Sequence, residues 1–286
     1  GRDAVLAAIK DAGISARDIQ VAYSSRLYDA AITSQDVLKE VGVTGLEMIN
    51  VENACAGGAT AVRGVWKEIA SGHYDVGVAI GVESMTTSPI ARKLIPPGKD
   101  DIEGQLGLTM PAVFALLARR QMHESGATPE DFAQVSVKNH HHGCLNPYAQ
   151  YKKEFTIEEV LASRMICEPI TLLQCCPNTD GSAAVILCSM DFARKHTTNP
   201  VKIAGSALLS AGYSWQQKDI TSSPLGVETA RRAYEMAGCG PEDIDLVELN
   251  EAFAVQALGC IKELGVDLNK CNLNGSGISI GHPIGC

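Results

Sequence analysis

Two short stretches of this chain carry the same punctuation 225 residues apart, and that repeat restricts the fold more than any other feature. Ala4 to Ala12 has the apolar spacing of a short helix, stops at Gly13, and passes through Ser15-Ala16-Arg17-Asp18-Ile19 into the strand-like run Gln20-Val21-Ala22-Tyr23. Thr229 to Ala237 stops at Gly238, and Pro241-Glu242-Asp243-Ile244 leads into Asp245-Leu246-Val247-Glu248. Gly13 and Gly238, Asp18 and Asp243, and Ile19 and Ile244 all keep the same 225-residue offset. A constant register across helix stop, loop acid and strand entry is what duplication of a helix-loop-strand unit leaves behind.

The first copy continues as alternating strands and helices. Met48-Ile49-Asn50-Val51 reads as a short buried strand, Asn53-Ala54-Cys55-Ala56-Gly57-Gly58 leads into a helix from Ala59 to Ala70, and Asp75 to Gly81 is another strand. This grammar, doubled, predicts an α/β fold of five layers, α-β-α-β-α, in which two related halves each contribute a sheet. Between Val82 and Cys175 the pattern breaks: a Pro/Gly-rich stretch precedes a helix from Pro111 to Glu124 and another helical run from Pro129. An excursion of roughly 90 residues far exceeds the usual 2–6-residue βα connection, so an inserted loop subdomain is expected over about 84–175. The chain rejoins a sheet at Gly181 to Leu187. The expected division is therefore a first half over 1–195 and an incomplete second half over 196–286.

The length of 286 residues, about twice the ~150-residue prior for one domain, accommodates two such halves. With 45% hydrophobic and 20% charged residues and a mean hydropathy of +0.03, fibrous and low-complexity classes are excluded. A net charge of −9 argues against a nucleic-acid-binding surface. No apolar run reaches the ~20 residues of a membrane span, and the opening residues read as the start of a helix, so a soluble protein without a signal peptide is expected. The ten cysteines are read as thiols of a reducing compartment. No spacing gives the paired CxxC of a zinc site, and no metal is expected.

Three residues stand where chemistry is done. Cys55 lies between a strand and a helix, where the helix N-terminus is expected to lower the thiol pKa and two glycines to admit a substrate carbonyl. The alternative is a cysteine packed as a small hydrophobe. His282, in Gly281-His282-Pro283-Ile284-Gly285, sits on a turn fixed by its neighbours, where an imidazole can act as base toward a thiol or as donor to an oxyanion. Asn250 opens Asn250-Glu251-Ala252-Phe253, either as a helix N-cap or as a group that orients a water or an oxyanion. The run His140-His141-His142 is expected to form a polar lid surface rather than a metal site, since three successive side chains diverge. Arg92, Lys93, Lys99, Lys152 and Lys153 are read as solvated charges, with contacts to the phosphates of a ligand as the alternative.

The ordered set of the Cys55 motif, Gly181-Ser182-Ala183-Ala184, Asn250-Glu251-Ala252-Phe253 and Gly281-His282-Pro283-Ile284-Gly285 resembles the thiolase superfamily across essentially the whole chain. Lys138-Asn139-His140-His141-His142, Asn146-Pro147-Tyr148-Ala149-Gln150 and Leu172 to Gly181 resemble the sterol carrier protein X-type and lipid-transfer thiolases. The resemblance implies acyl transfer on acyl-CoA or 3-ketoacyl-CoA thioesters through a Cys55 acyl-enzyme. His282 would activate the thiol and, with a water held by Asn250, stabilise the thioester oxygen, while the Cys55 amide would serve a second oxyanion hole. It further implies no cofactor beyond the CoA thioester, a homodimer or homotetramer, a small accessory protein as a possible companion, and a cytoplasmic location, peroxisomal in a eukaryote. Two departures stand against the pattern. Ala252 replaces the cysteine of an HDCF-like motif, and the chain stops at Cys286, before a CxG loop. Cys286 itself is read as packing, and both ends look cut. The competing readings are a ketosynthase- or hydroxymethylglutaryl-CoA-synthase-like condensing enzyme, and a catalytically weak lipid-binding or partner-dependent subunit.

Overall fold

The computed structural model describes residues 1–28, 31–88, 102–210 and 224–286. These form two compact units, Gly1–Arg92 with Asn178–Ile203 and Pro283–Cys286, and Lys93–Pro177 with Ala204–His282.

The first unit opens with helix α1 (Arg2–Ala12), which ends at Gly13 in the left-handed conformation, φ +64°. The Ser15 amide then donates to Asp18 Oδ2 (2.7 Å), closing a one-turn box that aims the chain into strand β1 (Val21–Ser25). Helix α2 (Thr33–Lys39), strand β2 (Glu47–Val51), helix α3 (Gly57–Ala70) and strand β3 (Val76–Ser84) follow. The chain then builds part of the second unit: α4 (Ile102–Gln105), α5 (Met110–Ser125), α6 (Pro129–Gly143), α7 (Ile157–Ala162) and the short antiparallel pair β4 (Met165–Cys167) and β5 (Ile170–Thr171). It returns to the first unit as β6 (Asp180–Cys188) and α8 (Met190–His196), and ends in the helices α9 (Pro224–Ala237), α10 (Ala254–Leu264) and α11 (Gly277–Ile280).

The sheet of the first unit runs β2-β1-β3-β6. The first three strands are parallel, and β6 is antiparallel to β3 from Val76↔Cys188 to Ser84↔Asp180. The sheet is thus mixed. Along β3, Val78 and Ile80 face a core with Val5, Ile19, Ala22 and Leu38, while Ala79 faces Ala61 and Val65 of α3. The period-2 alternation of the strand therefore serves two apolar layers, each fully buried Val or Ile contributing about 1.5–3 kcal/mol.

The second unit packs Ala115, Phe132, Val255, Ala257, Ile261 and Ile278 around the stacked rings of Phe114 and Phe253, centroids 4.3 Å apart. The expected insertion shares this core with the second half, because α6 packs against both α10 and α11. The duplicated punctuation is present in three dimensions: Gly238 has φ +70°, and the Gly240 amide donates to Asp243 Oδ2 (2.9 Å) as Ser15 does to Asp18. Among the described residues, the second half contributes one isolated parallel bridge, Val247↔Cys271. Among the described residues, Val201 before α9 and Leu246 after it are 95% and 64% exposed.

Candidate active site

Cys55 stands in the single 3-10 turn Ala54–Ala56 that joins β2 to α3. The turn is tied down from both sides. The Ala54 amide donates to Glu52 Oε1 (2.6 Å), Asn53 Nδ2 donates to Thr60 Oγ1 (2.9 Å), and Thr60 Oγ1 donates to the Ala56 carbonyl (2.8 Å). These bonds hold Ala54 at φ +42°, a left-handed backbone that costs an alanine on the order of 1 kcal/mol or more. Such strain, fixed by its surroundings, aims the next side chain. Cys55 is solvent-exposed, so it is not packed as a small hydrophobe. The expected lowering of its thiol pKa does not hold: atoms crowded around the sulfur push it above its ordinary value, and a hydrogen bond with its own backbone only partly offsets this.

The glycines after Cys55 also do something other than expected. A Cβ on Gly57 would overlap Ser25 Oγ, and one on Gly58 would overlap the Cys286 carbonyl oxygen. They admit other parts of the protein against the start of α3. The segment docked there, Pro283–Cys286, directly follows His282. It is held by Glu83, a buried carboxylate at the end of β3 whose Oε2 accepts from the amides of Leu27 (2.9 Å), Tyr28 (3.3 Å) and Gly285 (3.2 Å). Arg26 Nε lies 3.7 Å from its other oxygen. The sequence reading missed Glu83, although an acid ending an otherwise apolar strand was a usable signal. Burial pushes the Cys286 thiol up to about 11, in keeping with a packing role.

Asn250 and His282 belong to the second unit, at the two ends of α11. Gly277, the first residue of that helix, lies against Asn250 and Glu251: a Cβ there would approach Asn250 Oδ1 and collide with the Glu251 carbonyl. His282 follows the helix, buried, its amide donating to the Pro177 carbonyl (3.3 Å). Burial lowers its imidazole pKa, which keeps it neutral and able to accept a proton at pH 7. Asn250 does not cap a helix, because α10 starts at Ala254 with Phe253 as its N-cap. Beside it, Glu251 is buried and raised to about 7 by desolvation.

His140 corrects the expected polar lid. It is fully buried between the rings of Tyr151 and Phe155 and pushed down to about 4, while His141 is exposed and pairs with Glu154 at 3.0 Å. Lys152 and Lys153 are exposed; Lys152 Nζ donates to the Pro147 carbonyl and Lys153 pairs with Glu159. Arg92, Lys93 and Lys99 lie outside the described residues.

Residues 1–191 match the family model "Thiolase, N-terminal domain", and residues 200–286 match "Thiolase, C-terminal domain". The chain belongs to the thiolase family. Benzoylsuccinyl-CoA thiolase subunit BbsB of Thauera aromatica is 38% identical over 100% of this thiolase chain and 80% of its own. Acetyl-CoA acetyltransferase of Methanothermobacter thermautotrophicus is 38% identical over 92% of the chain and 70% of its own, and sterol carrier protein 2 of Bos taurus 34% identical over 97% and 58%. Among solved structures, an Ltp2-ChsH2(DUF35) aldolase superposes with a TM-score of 0.83 at 27% identity, covering 98% of this thiolase and 79% of that chain. The protein is a thiolase-type acyltransferase acting on CoA thioesters, with the thiolase α/β fold. Among the described residues, no helix of this thiolase is long and apolar enough to cross a membrane.

Proposed function

We propose that Cys55 is the acylated nucleophile, His282 its base, and Asn250 the residue that holds a water at the thioester oxygen. The supporting observation is the Cys55 turn itself, an exposed cysteine residue on a strained junction at the start of a 14-residue helix. In the cleavage direction, His282 takes the Cys55 proton and the sulfur attacks the 3-keto carbon of a 3-ketoacyl-CoA. The bond between C2 and C3 then breaks, the shortened acyl group stays on Cys55, and the acetyl-CoA enolate takes up a proton. A CoA thiol next attacks the acyl carbon and releases Cys55. In the enolate step the thioester oxygen gains negative charge, where a water on Asn250 and the imidazole of His282 supply donors. The reaction needs no cofactor beyond the CoA thioester.

The companion of this thiolase is a second copy of the chain, as a homodimer or homotetramer, joined by a small accessory protein. The word "subunit" in one relative's name and the paired chains in the aldolase's title support that reading. Ten cysteines, none of them in a disulfide, support a reducing compartment, the cytoplasm or, in a eukaryote, the peroxisome. Incubation with acetyl-CoA followed by peptide mass spectrometry is the test: the acetyl group is expected on Cys55 and absent from Cys55→Ser. Acetylation of Cys175, Cys176 or another thiol with Cys55 left free would overturn the assignment.

A further inference from the structure

Asn272 occupies an unusual position. It has φ +51°, a backbone that a non-glycine residue adopts at a cost, and it is only 1% exposed. Its own amide donates to the Val247 carbonyl (2.9 Å), extending the bridge between Val247 and Cys271. One residue further the main chain turns away, and the side-chain amide continues the ladder in its place. Leu249 N–H donates to Asn272 Oδ1 (2.8 Å), and Asn272 Nδ2 donates to the Leu249 carbonyl (2.9 Å). The primary amide thus pairs with Leu249 as a strand neighbour would. The second hydrogen of Nδ2 goes to Glu251 Oε1 (2.8 Å), a buried carboxyl oxygen whose twin, Oε2, has no partner.

Leu249 and Glu251 flank Asn250, so one side chain holds the main chain on one side of it and the Glu251 carboxyl on the other. The grip is reinforced by Ser276 Oγ, which donates to the Leu249 carbonyl (2.7 Å) and comes from the turn that starts α11. Both hydrogens of Asn272 Nδ2 and one lone pair of Oδ1 are spent on these two neighbours, and the strain at φ +51° is what brings the amide there. We infer that Asn272 is a positioning residue for Asn250, setting the direction in which the Asn250 side chain presents its water to the thioester oxygen. The inference rests on the role given to Asn250 above. Misplacing such a group by about 1 Å costs on the order of 10²-fold in rate.

The test separates two half-reactions in the full-length protein. Exchange of labelled CoA into acetyl-CoA reports acylation of Cys55, which does not use Asn250; thiolysis of the 3-ketoacyl-CoA that the wild type cleaves best reports the carbon–carbon step. Asn272→Gly accepts the positive φ without the amide, and Asn272→Asp keeps the shape and Oδ1 but puts an oxygen where Nδ2 donates. Both are expected to exchange CoA within about threefold of wild type and to lose thiolysis about 10²-fold. Adding Asn250→Ala to Asn272→Gly is expected to cost nothing more than Asn250→Ala alone. The inference is overturned if both variants keep thiolysis, if exchange and thiolysis fall together, if the two losses multiply, or if neither variant folds. A wild-type rate of thiolysis in Asn250→Ala would instead remove the role of Asn250, and this inference with it.

Discussion

His282 and Glu251 show opposite consequences of burial. For His282, desolvation favours the neutral imidazole a base requires, so His282→Ala should lose about 10²–10⁴-fold in turnover while keeping its melting temperature. Steady-state kinetics beside calorimetry would expose a purely structural histidine as normal turnover with a lowered melting temperature. Glu251 meets the same desolvation as an acid, with Asn272 and Lys138 opposing the shift and Glu248 adding to it. A carboxyl raised to about 7 binds its proton more tightly folded than unfolded, so its stabilising contribution is complete below about pH 4.5 and is lost as pH rises through 7. The loss is on the order of 3 kcal/mol at most. Glu251→Gln should therefore flatten the fall in melting temperature between pH 5 and 8, and an unchanged profile would show that Glu251 is ionised throughout. The sequence offered His282 and Cys55 plainly, because a histidine between glycine and proline and a cysteine between strand and helix are local patterns. Asn272 carries no such local pattern, since its bonds reach 21 and 23 residues back.

The β2-α3 junction works by exclusion of side chains. Gly58 is close enough to the Cys286 carbonyl that a methyl group must displace the Pro283–Cys286 segment. Gly58→Ala should destabilise by about 1–3 kcal/mol and slow Cys55 acylation, measured by denaturant titration and by CoA exchange. Wild-type values in both would mean that the segment does not need its seat. Elements of this kind were half legible. The helix stop, capping acid and strand entry could be read twice, since each depends on residues within one turn. How the second copy continues beyond its strand entry could not, because pairing depends on what lies on both edges of a strand. The antiparallel pairing of β6 with β3 likewise joins strands far apart in the sequence.

Family membership was legible because its motifs are spread from Cys55 to Gly285, whereas the compact units join segments that no local pattern links. The sheet of the first unit has two edges, β2 and β6, and β2 alternates exposed and half-buried residues rather than being covered. Unpaired edges of this sort are managed by pairing or burial, and we expect β2 to lie in a homodimer interface. Sedimentation equilibrium should give twice the chain mass at micromolar concentration; a monomer would sink the expectation. Glu83 has a consequence for how the first unit opens. Leu27, Tyr28 and Gly285 donate to a single carboxylate oxygen, so backbone amides from opposite ends of the sequence share one acceptor. Their hydrogens should exchange with solvent as a set, at one common rate, and Glu83→Ala should release all of them together while leaving the amides in the middle of β3 protected.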